Sequence, residues 1–314
     1  MTMRRSRFVA SAGALAALST LPARAAGATL RAATGAVEEF AEPYYADKMG
    51  FFRDAGLTAD VSVIPGGGLV TQAVLGGAID VGITNSGSMS SALARGLPIY
   101  WLFPGGVYSG NSPIAHMVVA KTSPIANAAG LSGKTIGVTT LHDMVQATGM
   151  AWLDKHGGDS NAVKWFEIKA AEMSAAIQVG RIDAAIIVEP TFSATKDQYK
   201  VLGFPYEVVN NGKPFQTAGL IGNKIWVDQN PDVARKVVQV IARTAAWANK
   251  NPNLMIPLLA QLTQLDPAAI ASYPRIPLAT KYDPGLIQPV IDLMAHYNFL
   301  PKAFNAAELR APGV

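Results

Sequence analysis

The sequence predicts an α/β fold of two domains. Three observations carry this: a helix-to-strand passage that occurs twice, strand candidates that are continuously apolar rather than alternating, and a length of 314 residues, which is long for one core. The first passage, Leu69 to Ser86, reads L-V-T-Q-A-V-L-G-G-A-I-D-V-G-I-T-N-S. The second, Met173 to Glu189, reads M-S-A-A-I-Q-V-G-R-I-D-A-A-I-I-V-E. Both contain G-x-I-D, so that Gly77 aligns with Gly180 and Asp80 with Asp183.

In each copy, apolar residues at helical spacing run up to a glycine suited to the left-handed position that ends a helix. Ile79 and Ile182 then return to the core, the aspartates occupy the turn, and Val81 to Thr84 and Ala184 to Val188 form short strands. Continuous apolar character suits a parallel sheet covered on both faces. A polar break follows each strand, Asn85-Ser86-Gly87-Ser88 in one copy and Glu189-Pro190-Thr191 in the other. Ligands of open α/β sheets bind outside the carboxyl ends of strands, so two similar sheets, each offering a ligand loop, are expected.

The other elements follow in order. Thr29 to Thr34 is a strand, Gly35 opens a loop containing Glu38, Glu39 and Phe40, and Tyr44 to Met49 is a helix ended by Gly50. Thr58 to Ile64 is the second strand. Pro65-Gly66-Gly67-Gly68 then precedes the first repeat helix, either as a backbone cradle for an anion or as a connector. Ser88 to Arg95 is a helix and Ile99 to Phe103 a strand. The turn-rich run Pro104 to Pro113 is either a lid over a cleft or a surface connection. His116 to Ala120 is a strand crossing into the second half. Gly130 to Thr135 imitates the end of a P-loop, but a strand follows it where a P-loop needs a helix. Thr139-Thr140-Leu141-His142-Asp143 opens a helix running to His156, and its hydroxyls can cap that helix or hold a ligand. Trp165 to Ile168 is a strand, Lys200 to Val209 is loop plus strand, and Gly219 to Asn223 is the return crossing. Asn230-Pro231-Asp232 starts a long helix with a capping Asn and Pro at the first helical position. Two more helices complete the chain.

Residues 1–25 read as an export signal: Arg4, Arg5 and Arg7, an apolar stretch from Phe8 to Leu21, and Ala23-Arg24-Ala25 as a cleavage site. The paired arginines fit a twin-arginine signal as well as an ordinary secretory one. The whole chain carries 26 basic and 22 acidic residues, and removing the four arginines of this segment leaves 22 against 22. No electrostatic case for nucleic acid or an anionic membrane survives. With no cysteine, disulfides, thiol chemistry and a lipid-anchoring Cys are excluded. The four histidines are scattered and no hydrolase or metalloprotease motif occurs. No cofactor and no metal are expected, and His142-Asp143 is the one pair on which an enzyme reading would rest.

Five segments in register carry a resemblance: Tyr44 to Val63, L-G-G-A-I-D-V-G, S-A-L-A-R-G-L-P-I, L-S-G-K-T-I-G-V, and G-R-I-D-A-A-I-I-V-E-P. Together with the export signal they resemble the periplasmic substrate-binding proteins of ABC importers for alkanesulfonate, nitrate and taurine, a family that also includes binders of thiamine-pyrimidine precursors. The resemblance implies a two-domain, type II Venus-flytrap fold of mostly parallel sheets flanked by helices. Domain 1 would comprise residues 28–113 and 224–314, and domain 2 residues 114–223. A monomer would capture a small molecule between them and pass it to a membrane permease, with no catalysis. Related pyrimidine synthases carry a Cys-rich segment that is absent.

The resemblance also implies ligand loops at Gly35 to Phe40, Gly66 to Gly68, Asn85 to Ser88, Thr139 to His142, Glu189-Pro190 and Gln216 to Ala218. The candidate ligand residues are Gly35, Glu38, Glu39, Phe40, Gly66, Gly67, Asn85, Ser86, Ser88, Thr139, Thr140, His142, Glu189 and Thr217. Ser86, Ser88, Thr139 and Thr140 suit an oxoanion. Glu38, Glu39 and Glu189, with no arginine on these loops, suit a ligand with N–H donors or a ring, on which Phe40, Tyr44, Tyr45 and Tyr108 would stack. Both ligand classes stay open, as do an exported enzyme using His142 and Asp143 and a sensor for a membrane receptor.

Overall fold

The computed structural model describes residues 29–110, 113–309 and 311; the expected export signal, residues 1–25, lies outside them. Twelve strands are described: β1 Leu30–Thr34, β2 Ala59–Val63, β3 Val81–Asn85, β4 Ile99–Pro104, β5 Val107–Tyr108, β6 Ala115–Ala120, β7 Thr135–Val138, β8 Lys164–Glu167, β9 Ala184–Val188, β10 Tyr199–Gly203, β11 Phe215–Gln216 and β12 Ala218–Asn223. They form two five-stranded sheets, ordered β2-β1-β3-β12-β4 and β10-β6-β9-β7-β8, plus the two-stranded ribbon β11-β5.

Read from the far end, the second sheet repeats the first. β7, β8 and β9 stand where β1, β2 and β3 do, parallel throughout. β6 and β10 take the places of β12 and β4, antiparallel. The repeated segment explains the shared order. Gly77 and Gly180 have φ of 71° and 68°, the left-handed turn expected after the helices Gly67–Leu75 and Ala170–Gln178.

Each repeat aspartate then clamps the first strand of its sheet. Asp80 Oδ2 accepts from the Arg31 backbone N–H at 2.8 Å, and Asp183 Oδ2 accepts from that of Thr135 at 2.9 Å. Asp80 is the buried member, its carboxylate also forked by the Arg31 guanidinium. Asp183 is 40% exposed and faces Lys134 at 3.9 Å. Asp80→Ala should therefore lower the unfolding free energy by about 1–2 kcal/mol, since it removes the acceptor of the part-buried Arg31 amide, while the Arg31 side chain, 46% exposed, turns to water. Asp183→Ala should cost under about 1 kcal/mol, because water replaces its partners. Urea titrations of the two variants measure the difference.

Several elements differ from expectation. Asn85-Ser86-Gly87-Ser88 is not a loop: Asn85 caps a helix, Ser86–Ala94, by accepting from Ser88 N–H at 2.7 Å. Asn230 precedes the helix Pro231–Lys250, but its side chain makes no cap there; its amide donates backwards to Trp226 O at 2.9 Å. Of the run Pro104 to Pro113, residues 104–110 and 113 are described, and Gly106 bridges Leu278. The run contributes β5, which pairs antiparallel with β11 of the returning chain. His116 to Ala120 and Gly219 to Asn223 are not crossings: β6 lies inside the second sheet and β12 inside the first. The expected second domain ran to residue 223, whereas β12 already pairs with β3 and β4. An apolar strand reads alike in either sheet, so composition could not reveal where the chain returned.

Candidate functional site

The carboxyl ends of β1, β3, β7 and β9 face the junction of the two halves. After β1 the chain makes a short 3-10 turn, Glu38–Phe40, and then the helix Glu42–Lys48. This turn buries Glu38, Glu39 and Glu42, none more than 4% exposed. They do not face solvent. Glu38 Oε2, Glu39 Oε2 and both Glu42 oxygens have no hydrogen-bond partner.

Burial pushes Glu38 up to about 7. Arg275, 3.6 Å from its Oε1, and the neighbouring Tyr273 pull the other way. Burial also pushes Glu39 up to about 7, with Thr217 opposing and Asp143 and Glu38 adding repulsion. Glu42 rises to about 8 by burial, with Glu39 adding repulsion. These groups accept protons in the pH range where exposed glutamates are fully ionised.

From the second half come Asp143 and Glu189. Asp143 sits at the start of the helix Met144–Lys155. Its Oδ2 accepts from Asn85 Nδ2 at 2.7 Å and from Ser88 Oγ at 2.9 Å, while Oδ1 is buried without a partner. Burial raises its pKa, against the hydrogen bonds from Ser88 and Asn85. Glu189 is 2% exposed and accepts from the Ser193 amide and hydroxyl, both at 3.0 Å. Its pKa is also raised by burial, with the Ser193 bonds and then Arg275 opposing.

The helix terminus expected to hold an oxoanion is thus already supplied. Ser86 N–H donates to Thr217 O at 2.8 Å, Ser88 N–H is taken by Asn85, and the Ser88 hydroxyl is taken by a carboxylate. A negative group at a helix N-terminus is stabilised by the backbone dipole, and Asp143 fills that role from across the junction. Close approach needs glycine at 87, where a Cβ would overlap the Met144 backbone nitrogen and lie 2.8 Å from Asp143 Oδ1.

The remaining candidates divide. Thr217 lies between β11 and β12, fully buried, with an unpartnered hydroxyl near Glu39. Gly66 and Gly67 are no loose connector: Gly67 O accepts from Thr84 Oγ1 at 2.7 Å, and a Cβ at 67 would lie 2.6 Å from Asn85 Nδ2. Thr139 and Thr140 are half-buried, and a Cβ at Gly68 would lie 3.5 Å from the Thr140 methyl. Together with Ser88 and His142, Gly68 borders a surface pocket of about 280 Å³.

Phe40 is not brought to this set: it belongs to the apolar core, with its ring against Gly35. Tyr44 bonds Gln261 at 2.8 Å and Tyr108 packs on Tyr206 and Phe215, so neither stacking partner is free. His142, with φ of 55°, is exposed, its ring edge-on to Phe299 at 5.2 Å. The suggested His142-Asp143 pair is therefore split, the two side chains taking different partners.

Three residues outside the expected loops join the set. Tyr206 is buried beside Glu39 and Asp143, and its hydroxyl has no partner. Asp143, noted only for its neighbour His142, forms the link across the junction. Arg275 lies beside Glu38 and Glu189, far along the chain, with Nη1 unpartnered. No local pattern flags Arg275, because its partners come from other elements.

A family model described as NMT1/THI5 like matches residues 38–254. The chain belongs to this family. Among sequence relatives, the taurine-binding periplasmic protein of Escherichia coli K12 is 27% identical over 249 residues, covering 77% of this chain and 73% of that protein. A Brucella abortus (strain 2308) protein named only as a binding protein is 25% identical over 279 residues, covering 85% and 81%. Among solved structures, the alkanesulfonate-binding protein of Xanthomonas axonopodis pv. citri bound to MOPS superposes with a TM-score of 0.75 at 18% identity, over 90% of this chain and 98% of that one. At that identity the likeness is one of fold: the two-domain α/β architecture of periplasmic binding proteins.

Proposed function

We propose that this NMT1/THI5-like chain is an extracytoplasmic solute-binding protein. It captures a small molecule between two lobes and presents it to the permease of an ABC importer, as a monomer and without making or breaking bonds. The lobes are centred on the two sheets, with the passages that contribute β5 and β11 as the hinge. Hinge closure around a ligand is the standard device of this architecture, and the solute must prefer the closed form for closure to follow binding. Localisation in a bacterial periplasm is supported by the export signal read at residues 1–25 and by the periplasmic relatives.

The observation that carries the ligand reading is the set of buried, acceptor-rich carboxyls at the strand ends, together with the helix terminus already satisfied by Asp143. A lone oxoanion would meet Glu38, Glu39, Asp143 and Glu189, with the helix terminus at Ser86 already supplied, at a desolvation cost that disfavours it. A solute bearing N–H donors, such as an amine or an aminopyrimidine, gains charge-assisted hydrogen bonds from the same groups. Buried groups left unpartnered disfavour solutes that lack those donors.

Thermal-shift and calorimetric panels of amines, aminopyrimidines, aromatic acids, nitrate and alkanesulfonates test this. At one hundred times its Kd, a true ligand should stabilise the protein by about 2.7 kcal/mol. Glu39→Gln should weaken an amine ligand by roughly 10- to 150-fold, the worth of a hydrogen bond to a charged group. Stabilisation by nitrate or alkanesulfonates with no response to amino solutes would overturn the ligand class. Turnover lost on His142→Ala would instead revive the enzyme reading.

A further inference from the structure

Beside Glu38 lies a cavity of about 200 Å³. It is bounded by the junction of the helices Pro231–Lys250 and Pro252–Thr263 and by the strap Arg275 to Leu278. Most of its wall is apolar: Ala248, Met255, Ile276 and Leu278, each at most 5% exposed. One end is polar and unsatisfied, for Glu38, Tyr45 and Arg275 also line it, and Glu38 Oε2, Tyr45 OH and Arg275 Nη1 are all buried without partners.

The polar end is held firmly. Arg275 Nη2 donates to the carbonyls of Ile270 and Tyr273, and the guanidinium lies over the Tyr273 ring at 4.1 Å. Asn249, the other polar lining residue, is already used: its amide donates to Leu278 O at 2.7 Å and accepts from Leu278 N–H at 3.0 Å. The strap is tied in turn to the passage that contributes β5, Val107 N–H donating to Pro277 O at 2.8 Å and Ala279 N–H to Gly105 O at 2.9 Å.

We infer that the solute is an amino-acid-like zwitterion, its ammonium on Glu38, its anionic end on Arg275 and its apolar part in this cavity. This rests on the solute-binding reading and specifies it. A carboxyl and a guanidinium 3.6 Å apart, each with a spare polar atom, match an ion pair of reversed polarity. An amine alone leaves Arg275 Nη1 unpartnered, and an acid alone leaves Glu38 Oε2 so; either orphan costs binding free energy. A space of about 200 Å³ takes a small solute such as a short branched amino acid and not a drug-sized one. Tyr45 OH supplies a further contact to the anionic end. Because the strap is bonded to the hinge passage, filling the cavity also steadies the segment about which the lobes close.

The test is isothermal titration of the purified mature protein with four probes. L-valine carries both charges and an apolar part, 2-methylpropan-1-amine lacks the carboxylate, 3-methylbutanoate lacks the amine, and taurine replaces carboxylate by sulfonate without a branched tail. L-valine should bind at least 30-fold more tightly than either single-charge probe. Met255→Trp, which narrows the apolar part of the cavity and keeps both Glu38 and Arg275, should weaken L-valine at least 30-fold and taurine less than threefold. Ala248→Leu serves the same purpose if the tryptophan variant loses its circular dichroism.

Taurine binding without L-valine binding would overturn the apolar subsite, as would an L-valine affinity untouched by filling the cavity. Equal binding of the single-charge probes would overturn zwitterion recognition. If an aminopyrimidine binds and no zwitterion does, this inference falls and the solute-binding reading stands; if no solute of any class binds, both fall.

Discussion

Gly87→Val is expected to reduce solute affinity more than 100-fold while leaving both sheets folded. Gly87 occupies the first turn of the helix Ser86–Ala94, and a Cβ there would overlap the Met144 backbone nitrogen and crowd Met144 Cβ and Asp143 Oδ1, each at 2.8 Å. Those neighbours open the helix that follows β7, in the other half of the molecule. Backbone cannot move aside as a flexible side chain can, so the closed arrangement loses the contact and the lobes stay apart.

Helix propensity pulls the other way, since valine is slightly better than glycine in a helix. Lost binding would therefore report the junction and not the helix. Solutes that need the closed form lose affinity in proportion to its population, and a penalty above about 2.8 kcal/mol is a hundredfold. Calorimetry measures the affinity, and small-angle scattering should show a larger radius that solute no longer reduces. Gly87→Ala should fall between. Binding within threefold of the parent would mean that this contact plays no part in closure.

The second large effect is that the ligand-free protein should melt markedly lower at pH 8 than at pH 5. Glu38 and Glu39 titrate at about 7 and Glu42 at about 8, against 4.5 for the ordinary glutamate. Below 4.5 these groups are protonated in both the folded and the unfolded chain, and they carry no penalty. As pH rises, the unfolded chain ionises first while the folded chain keeps its protons. Stability then falls by about 1.4 kcal/mol per pH unit for each such group until its folded value is passed.

His116 opposes this below its usual range, because burial lowers it from 6.5 to about 4 and the folded chain then resists protonation. That single group is outweighed by three carboxyls, and above pH 6.5 it contributes nothing. Scanning calorimetry across pH 5 to 8 gives the slope, and proton uptake on folding gives its sign. Glu42→Gln removes one ionisation, and should flatten the slope and raise stability at pH 8 by about 2–4 kcal/mol. A melting temperature that climbs over this range would contradict the burial of all three carboxyls. A solute with cationic donors should shrink the pH dependence, since its charge replaces the protons.

Much of the architecture was legible in the chain. The two G-x-I-D passages identified matching sheets, because a left-handed glycine ending a helix and a short apolar strand after it are local features. Their aspartates proved to hold equivalent places, each clamping the first strand of its sheet, although neither Arg31 nor Thr135 was read as the partner. Glu38, Glu39, Asn85, Ser88 and Glu189 were placed at strand ends by the repeat and by resemblance, and the structure gathers them at one junction. Phe40, expected on a ligand loop, lies in the core, because an aromatic residue on a loop looks the same in sequence whether it turns outward or inward.

The sequence by itself determined two βα units and the polar breaks after their strands, since each depends on neighbours within a few residues; the wider set of candidate loops came from the family resemblance. Only tertiary structure decided that Asp143 fills the helix terminus at Ser86, that Arg275 stands beside Glu38, and that three glutamates lie out of water. Electrostatics and desolvation depend on distance through space, and the chain brings those groups together only once its sheets have packed.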